Sequence, residues 1–172
     1  MVSNYDIEVD EFLNHRDRRV YFQKCLSEKF KKTIICLRVN YPGNMKNNYY
    51  SRKINEIFVE KLEKEFENKI LFKTTYISLE GPITILVINT NSNEVKKECI
   101  NIEEAHFLGR LVDIDVYDKN YRSLSRVNFH KNPRQCFICE DIAFNCSRSK
   151  RHSLNEIELY IKNKVIKYLN LS

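Results

Sequence analysis

Residues 33–118 alternate between two hydrophobic periods, and few folds can absorb that alternation. Thr-Ile-Ile-Cys-Leu-Arg-Val at residues 33–39 is β-branched and apolar, and reads as a buried strand. It stops at Asn40-Tyr41-Pro42-Gly43-Asn44, a strong turn signal. Ile54, Ile57, Phe58, Leu62 and Phe66 then recur at steps of three and four, an apolar stripe along a helix over residues 50–68. Residues 70–79 and 83–89 read as strands joined by Glu80-Gly81-Pro82, a hairpin. A second helix is expected over residues 94–106, and Gly109 or Arg110 opens a last strand. The order is βαββαβ, which predicts an α+β fold with a ferredoxin-like core. Such a sheet usually carries helices on one face and leaves the other open for a site. Residues 10–31 add an N-terminal surface helix, and residues 118–128 a hairpin-like segment. An irregular Cys/Arg-rich loop runs on to His152. The capping box Ser153-Leu154-Asn155-Glu156 then starts a C-terminal amphipathic helix marked by Ile157, Ile161, Val165 and Tyr168.

A chain of 172 residues, 42% hydrophobic and with only three glycines and three prolines, is expected to form one domain over residues 1–172. Its formal charge is +6, concentrated late: residues 110–152 hold nine Lys/Arg against five Asp/Glu. That field suits an anionic substrate, a nucleic acid or an acidic protein. The first residues resemble no signal peptide, and no apolar run approaches the roughly 20 residues of a membrane span. Six cysteines in such a chain are expected as reduced thiols or metal ligands. The expected location is the cytoplasm, with no membrane partner.

On the last strand, residues two apart face the same way. Val112, Ile114 and Val116 line one face, so Asp113 and Asp115 project together from the other. Two adjacent carboxylates need a cation or arginines to neutralise them. Mg²⁺ fits, because it takes one or two protein carboxylates plus substrate phosphates. The alternative is a solvated pair matched by Arg110, Arg122 or Arg126.

Downstream, Cys136, Cys139, Cys146 and His152 form a C-x2-C-x6-C-x5-H pattern that could close a tetrahedral zinc site; reduced core thiols are the alternative. Arg134, Arg148 and Arg151, with Lys150, offer donors suited to phosphate oxygens. His152 has three roles open to it: zinc ligand, general base, or packing residue at the start of the last helix.

These residues resemble the CitX family, the apo-citrate lyase phosphoribosyl-dephospho-CoA transferases. The resemblance rests on Gly109-Arg110-Leu111-x-Asp113-Ile114-Asp115-Val116, Ser125-Arg126, Pro133-Arg134-x-Cys136-x-x-Cys139 and Cys146-x-Arg148-Ser149-x-Arg151-His152-Ser153. Leu37-Arg38-Val39-Asn40-Tyr41-Pro42-Gly43-Asn44-Met45-Lys46 and Glu80-Gly81-Pro82 extend it toward the N-terminus. Val112 stands where the family often has Phe, Glu80 replaces a common Thr, and residues 89–105 match poorly. The resemblance implies a nucleotidyltransferase that moves a prosthetic group from 2'-(5''-triphosphoribosyl)-3'-dephospho-CoA to a serine of the acyl carrier subunit (gamma chain) of citrate lyase, releasing pyrophosphate. On that basis Asp113 and Asp115 are expected to hold Mg²⁺, and His152 or one aspartate to take the serine proton. Arg110, Arg126, Arg134, Arg148 and Arg151 are the candidate substrate-binding residues, and the basic field suits an acidic carrier protein.

Three other readings compete. A nucleic-acid module is disfavoured, because strand 33–39 lacks an aromatic stacking set and an acidic pair repels phosphate unless a metal is bound. Another metal-dependent nucleotidyltransferase shares the paired carboxylates. A zinc-stabilised scaffold without catalysis predicts stoichiometric zinc and no turnover.

Overall fold

The computed structural model describes residues 4–171. Nine regular elements follow in order: α1 (Asn4–Phe30), β1 (Thr33–Val39), α2 (Tyr49–Glu65), β2 (Ile70–Ser78), β3 (Gly81–Ile88), α3 (Ser92–Ala105), β4 (Val112–Tyr117), α4 (Ala143–Arg148) and α5 (Leu154–Leu169). The fold is mixed α+β. Its four strands form one sheet in the order β2-β3-β1-β4, with every neighbouring pair antiparallel. β1 and β2, joined through α2, are split by β3; β3 and β4, joined through α3, are split by β1. No helix among the described residues is long and apolar enough to cross a membrane.

Burial follows position in the sheet. β3, a central strand, is buried at every residue, because both its faces are covered. β4, an edge strand, alternates buried and half-buried residues, as a strand with one dry face must. Ile35, Leu37, Leu86, Ile88, Val112, Ile114 and Val116 meet Ile54, Phe58 and Leu62 of α2, Val95 and Cys99 of α3, and Ile161 and Val165 of α5.

The second face departs from expectation. It is not open: α1 lies over it. Leu26, with Phe22 and Phe30 beside it, packs on Ile34, Cys36, Ile83, Ile85 and Val87. The physical reason is that a sheet whose two central strands are apolar on both faces needs a second cover. Smaller differences fall in the loops. The expected hairpin after β4 shrinks to a single bridge between Tyr117 and Ser123, followed by a 3-10 turn at Arg126–Phe129. The irregular loop contains the short helix α4 and one bridge between Gln135 and Ile142. The capping box at Ser153 and Glu156 forms as expected.

The outer edge of β4 is closed by side chains instead of another strand. Glu103 Oε1 accepts the Ile114 N–H at 2.9 Å, Lys96 Nζ donates to the Ile114 carbonyl at 3.0 Å, and Arg134 Nη1 donates to the Val112 carbonyl at 2.9 Å. Gly109 makes that arrangement possible, because a Cβ there stands 1.9 Å from the Glu103 carbonyl oxygen. Backbone cannot yield as a flexible side chain can, so Gly109→Ala is expected to cost about 1–3 kcal/mol and to lower the thermal midpoint by several degrees in a calorimetric scan.

His106 carries a second testable effect. Its Nδ1 accepts the Leu108 N–H at 3.1 Å, and its ring stands 4.7 Å from that of Phe58. Burial, helped by the Lys61 charge, pushes its pKa down to about 4. The folded state therefore prefers the neutral ring, while the unfolded chain protonates near pH 6.5. The contribution is complete above pH 6.5 and is lost as the pH falls toward 4. Discounted for partial exposure, it amounts to about 1–2 kcal/mol. Unfolding midpoints measured from pH 7 to pH 4 should fall less steeply for His106→Gln than for the unaltered protein.

Candidate active site

The register of β1 and β4 sets the site. Arg38 pairs across the strands with Asp113, and Cys36 with Asp115, so Arg38 and both aspartates share the face under α1. Arg38 Nη2 donates to Asp115 Oδ2 at 2.8 Å. Asp113 Oδ1 is taken by Arg134, which also pairs with Glu103. The pairing alternative is thus realised, but with Arg38 and Arg134 in place of Arg110, Arg122 and Arg126. Asp113 Oδ2 and Asp115 Oδ1 have no hydrogen-bond partner among the described residues, which suits oxygens able to join a cation. A hard divalent cation prefers such carboxylate oxygens, so the pair fits Mg²⁺.

Around the pair lies a cavity of about 430 Å³ lined by Arg16 and Arg19 of α1, Arg38 of β1, Lys46 of the following loop, Glu80 of the β2–β3 turn, and Asp113 and Asp115. Glu80 receives Arg19 through two bonds, Nε to Oε1 at 2.8 Å and Nη2 to Oε2 at 3.0 Å. Both side chains are almost fully buried, 5% and 6% exposed. Burial opposes the Arg19 charge, and the Glu80 carboxylate together with the neighbouring Cys36 and Tyr117 more than offsets it. Arg38 is likewise opposed by burial and held charged by Asp115. Lys46 has no such compensation: burial lowers its pKa despite the nearby Glu80. An anion placed beside Lys46 would relieve that cost. Gly81, at φ +94°, lets the hairpin approach the Lys46 carbonyl, which a Cβ meets at 2.8 Å.

A second cavity of about 570 Å³ adjoins the first through Asn40, which lines both. Its walls are largely apolar, with Tyr41, Phe137, Leu154 and Ile157, and it is edged by Arg110, Arg134, Lys150 and His152. Arg110 sits 5.7 Å from the Phe137 ring centroid. Burial, then Arg134 and Arg126, act against its charge.

The candidates from sequence fall in three places. Asp113 and Asp115 line the polar cavity, and Arg134 bridges it to the apolar one. Arg110 and His152 line only the apolar cavity. Arg126, Arg148 and Arg151 line neither. Arg126 is taken up by Glu103 at 2.5 Å and Glu104 at 2.7 Å, Arg148 stacks over Phe144, and Arg151 pairs with Asp141 at 2.9 Å. His152 Nε2 stands 3.3 Å from Cys139 Sγ, and the Cys136, Cys139, Cys146 and His152 ligand atoms gather in one cluster.

Arg16, Arg19, Arg38, Lys46 and Glu80 are the cavity residues that the reading of motifs did not single out for the site. The strand alternation did carry a signal for Arg38, since Leu37 and Val39 must face the helices. The spacing of Arg16 and Arg19 puts both on one side of a helix, but nothing local says which surface that side meets.

The family profile described as apo-citrate lyase phosphoribosyl-dephospho-CoA transferase (CitX) matches residues 7–168. Proteins named apo-citrate lyase phosphoribosyl-dephospho-CoA transferase from Shigella boydii serotype 18 and from Escherichia coli O157:H7 (strain EC4115 / EHEC) are each 29% identical over 160 residues. The match covers 91% of this chain and 87% of theirs. A protein of Escherichia coli (strain K12 / MC4100 / BW2952) named as a probable transferase of the same kind matches equally well.

Proposed function

The chain belongs to the apo-citrate lyase phosphoribosyl-dephospho-CoA transferase (CitX) family, and from that premise we propose how its two cavities divide the reaction. The protein is a transferase. Its proposed donor is 2'-(5''-triphosphoribosyl)-3'-dephospho-CoA, and its proposed acceptor is a serine of the apo acyl carrier subunit, the gamma chain, of citrate lyase. The observation that carries this reading is the polar cavity, where Arg16, Arg19, Arg38 and Lys46 surround the Asp113–Asp115 pair.

The triphosphate lies in that cavity, with Lys46 and Arg38 gripping its oxygens. The phosphoribosyl-dephospho-CoA portion extends past Asn40 into the apolar cavity, where Phe137, Leu154 and Ile157 cover it and Arg110 and Lys150 meet its diphosphate bridge. The serine hydroxyl attacks the α-phosphorus in line with the pyrophosphate. An O–P bond forms, the bond to pyrophosphate breaks, and the serine proton passes to Asp113 or Asp115. His152 is turned to the cysteine cluster, which favours the aspartates as proton acceptors. Asp113 and Asp115 would hold Mg²⁺, which would supply positive charge to offset that developing on the leaving pyrophosphate. The arginine partners Arg38 and Arg134 hold the two carboxylates oriented until the donor arrives.

Intact-mass spectrometry of the apo carrier subunit tests this. Incubation with the protein, Mg²⁺ and donor should add the mass of phosphoribosyl-dephospho-CoA and release an equivalent of pyrophosphate. A folded protein and a verified donor that leave the carrier mass unchanged contradict the assignment.

A further inference from the structure

The loop between β4 and α5 has little structure of its own, yet four of its side chains converge. The sulfurs of Cys136, Cys139 and Cys146 and a ring nitrogen of His152 all lie within 4.8 Å of one another. Cys139 Sγ stands 3.9 Å from Cys146 Sγ and 3.3 Å from His152 Nε2. The sulfur spacing is far beyond the roughly 2.0 Å of a disulfide, and the cysteines are free thiols. Four tetrahedral ligands about a Zn²⁺ ion, with Zn–S near 2.3 Å, stand about 3.8 Å apart from sulfur to sulfur. The Cys139–Cys146 pair already has that spacing, and the other ligand atoms lie close enough to reach it with small side-chain shifts.

We propose that Cys136, Cys139, Cys146 and His152 bind one Zn²⁺ in a closed site that holds this loop in its folded form. The surroundings fit thiolate ligands. The Ile138 N–H points at Cys136 Sγ at 3.5 Å. Three thiolates and one Zn²⁺ leave a net negative charge, and Arg151 Nη1, anchored by Asp141 at 2.9 Å, stands 4.0 Å from Cys139 Sγ. Such outer partners orient ligands and tune the metal. Loading releases the protons of those thiols that are still protonated, up to three.

Four protein ligands leave no open position for water or substrate, which marks a structural site and not a catalytic one. Its effect on the reaction is indirect. Arg134, two residues before the first ligand, reaches Asp113 and Glu103, and Ser153, directly after the last, caps α5. The bound ion therefore fixes both ends of the loop that walls the apolar cavity. This inference stands on the cluster alone and does not depend on the transferase assignment.

The test is metal content of the full-length protein, purified reduced and without added chelator. About one zinc per chain is expected. Replacing zinc by Co²⁺ should give the intense visible bands of a tetrahedral thiolate site. Cys146→Ser and His152→Ala should each weaken zinc binding by at least about 100-fold, the upper end of what losing a mere supporting partner costs. Cys25→Ser, outside the cluster, should leave it unchanged. Chelation should expose residues 134–152 to hydrogen exchange before the sheet. A metal-free wild-type protein that takes up neither zinc nor cobalt overturns the proposal, as does zinc retained undiminished in both ligand variants. None of these readouts uses transfer activity, so failure here is separable from failure of the proposed function.

Discussion

Asp115→Asn is expected to lower the rate of carrier modification by about 10²–10⁴-fold, the range for loss of a positioned proton acceptor, while the protein remains folded. The Asp115 side chain is 34% exposed and, among the described residues, has one ion-pair partner, Arg38. Asn has the same shape, and its amide oxygen still accepts the Arg38 N–H, so little packing changes. What disappears is charge: one proposed Mg²⁺ ligand and one proposed proton acceptor in the polar cavity. The rate should be read by intact mass under saturating donor, with far-ultraviolet circular dichroism confirming the fold. If only the cation requirement is affected, raising Mg²⁺ recovers part of the rate. If Asp115 takes the proton, the loss persists at every Mg²⁺ concentration. Unchanged activity in a folded variant removes the carboxylate pair from the mechanism altogether.

Arg19→Ala is expected to be strongly destabilising. It leaves the Glu80 carboxylate, 6% exposed, without its two strongest donors; Arg38 Nη1 is 4.0 Å from it. Breaking one side of a buried ion pair costs about 3–5 kcal/mol. At about 2–4 °C per kcal/mol for a chain of this size, the midpoint should drop by roughly 10 °C. The double variant Arg19→Met with Glu80→Met removes both charges and should recover most of that loss, because replacing a buried pair by apolar groups is often close to neutral. A double variant as unstable as the single one shows that the interaction is not a desolvated pair. The same double variant loses a cavity cation and should remain a poor enzyme, separating the stability of α1 docking from the binding of donor.

The two effects come from parts of the molecule that were unequally legible in the amino-acid sequence. The carboxylate pair was plain, because alternation within one strand is a local property: once Val112, Ile114 and Val116 face the helices, Asp113 and Asp115 must share the other face. The partners of those aspartates were not. Arg38 and Asp115 lie 77 positions apart, and only the β1–β4 register joins them. The Arg19–Glu80 pair was hidden for the same reason. It depends on α1 crossing the sheet face that was expected to stay open, and α1 has only a thin apolar stripe among its charges to announce that contact. Arg126 shows the converse. Ser125-Arg126 is part of the family pattern and suggests a substrate contact, but in the fold Glu103, buried by capping the β4 edge, and Glu104 pair with Arg126, and it lines neither cavity. The cysteine–histidine pattern was visible because its spacing is short, whereas the convergence of its ligand atoms needed the fold.

Locating the phosphates of bound donor tests the site assignment most directly. A crystal structure of the protein with 2'-(5''-triphosphoribosyl)-3'-dephospho-CoA and Mg²⁺, without carrier, should place the triphosphate between Lys46, Arg38 and the Asp113–Asp115 pair, with the rest of the donor passing Asn40 toward Phe137. Phosphates seated elsewhere, with the polar cavity under α1 holding only solvent, contradict it.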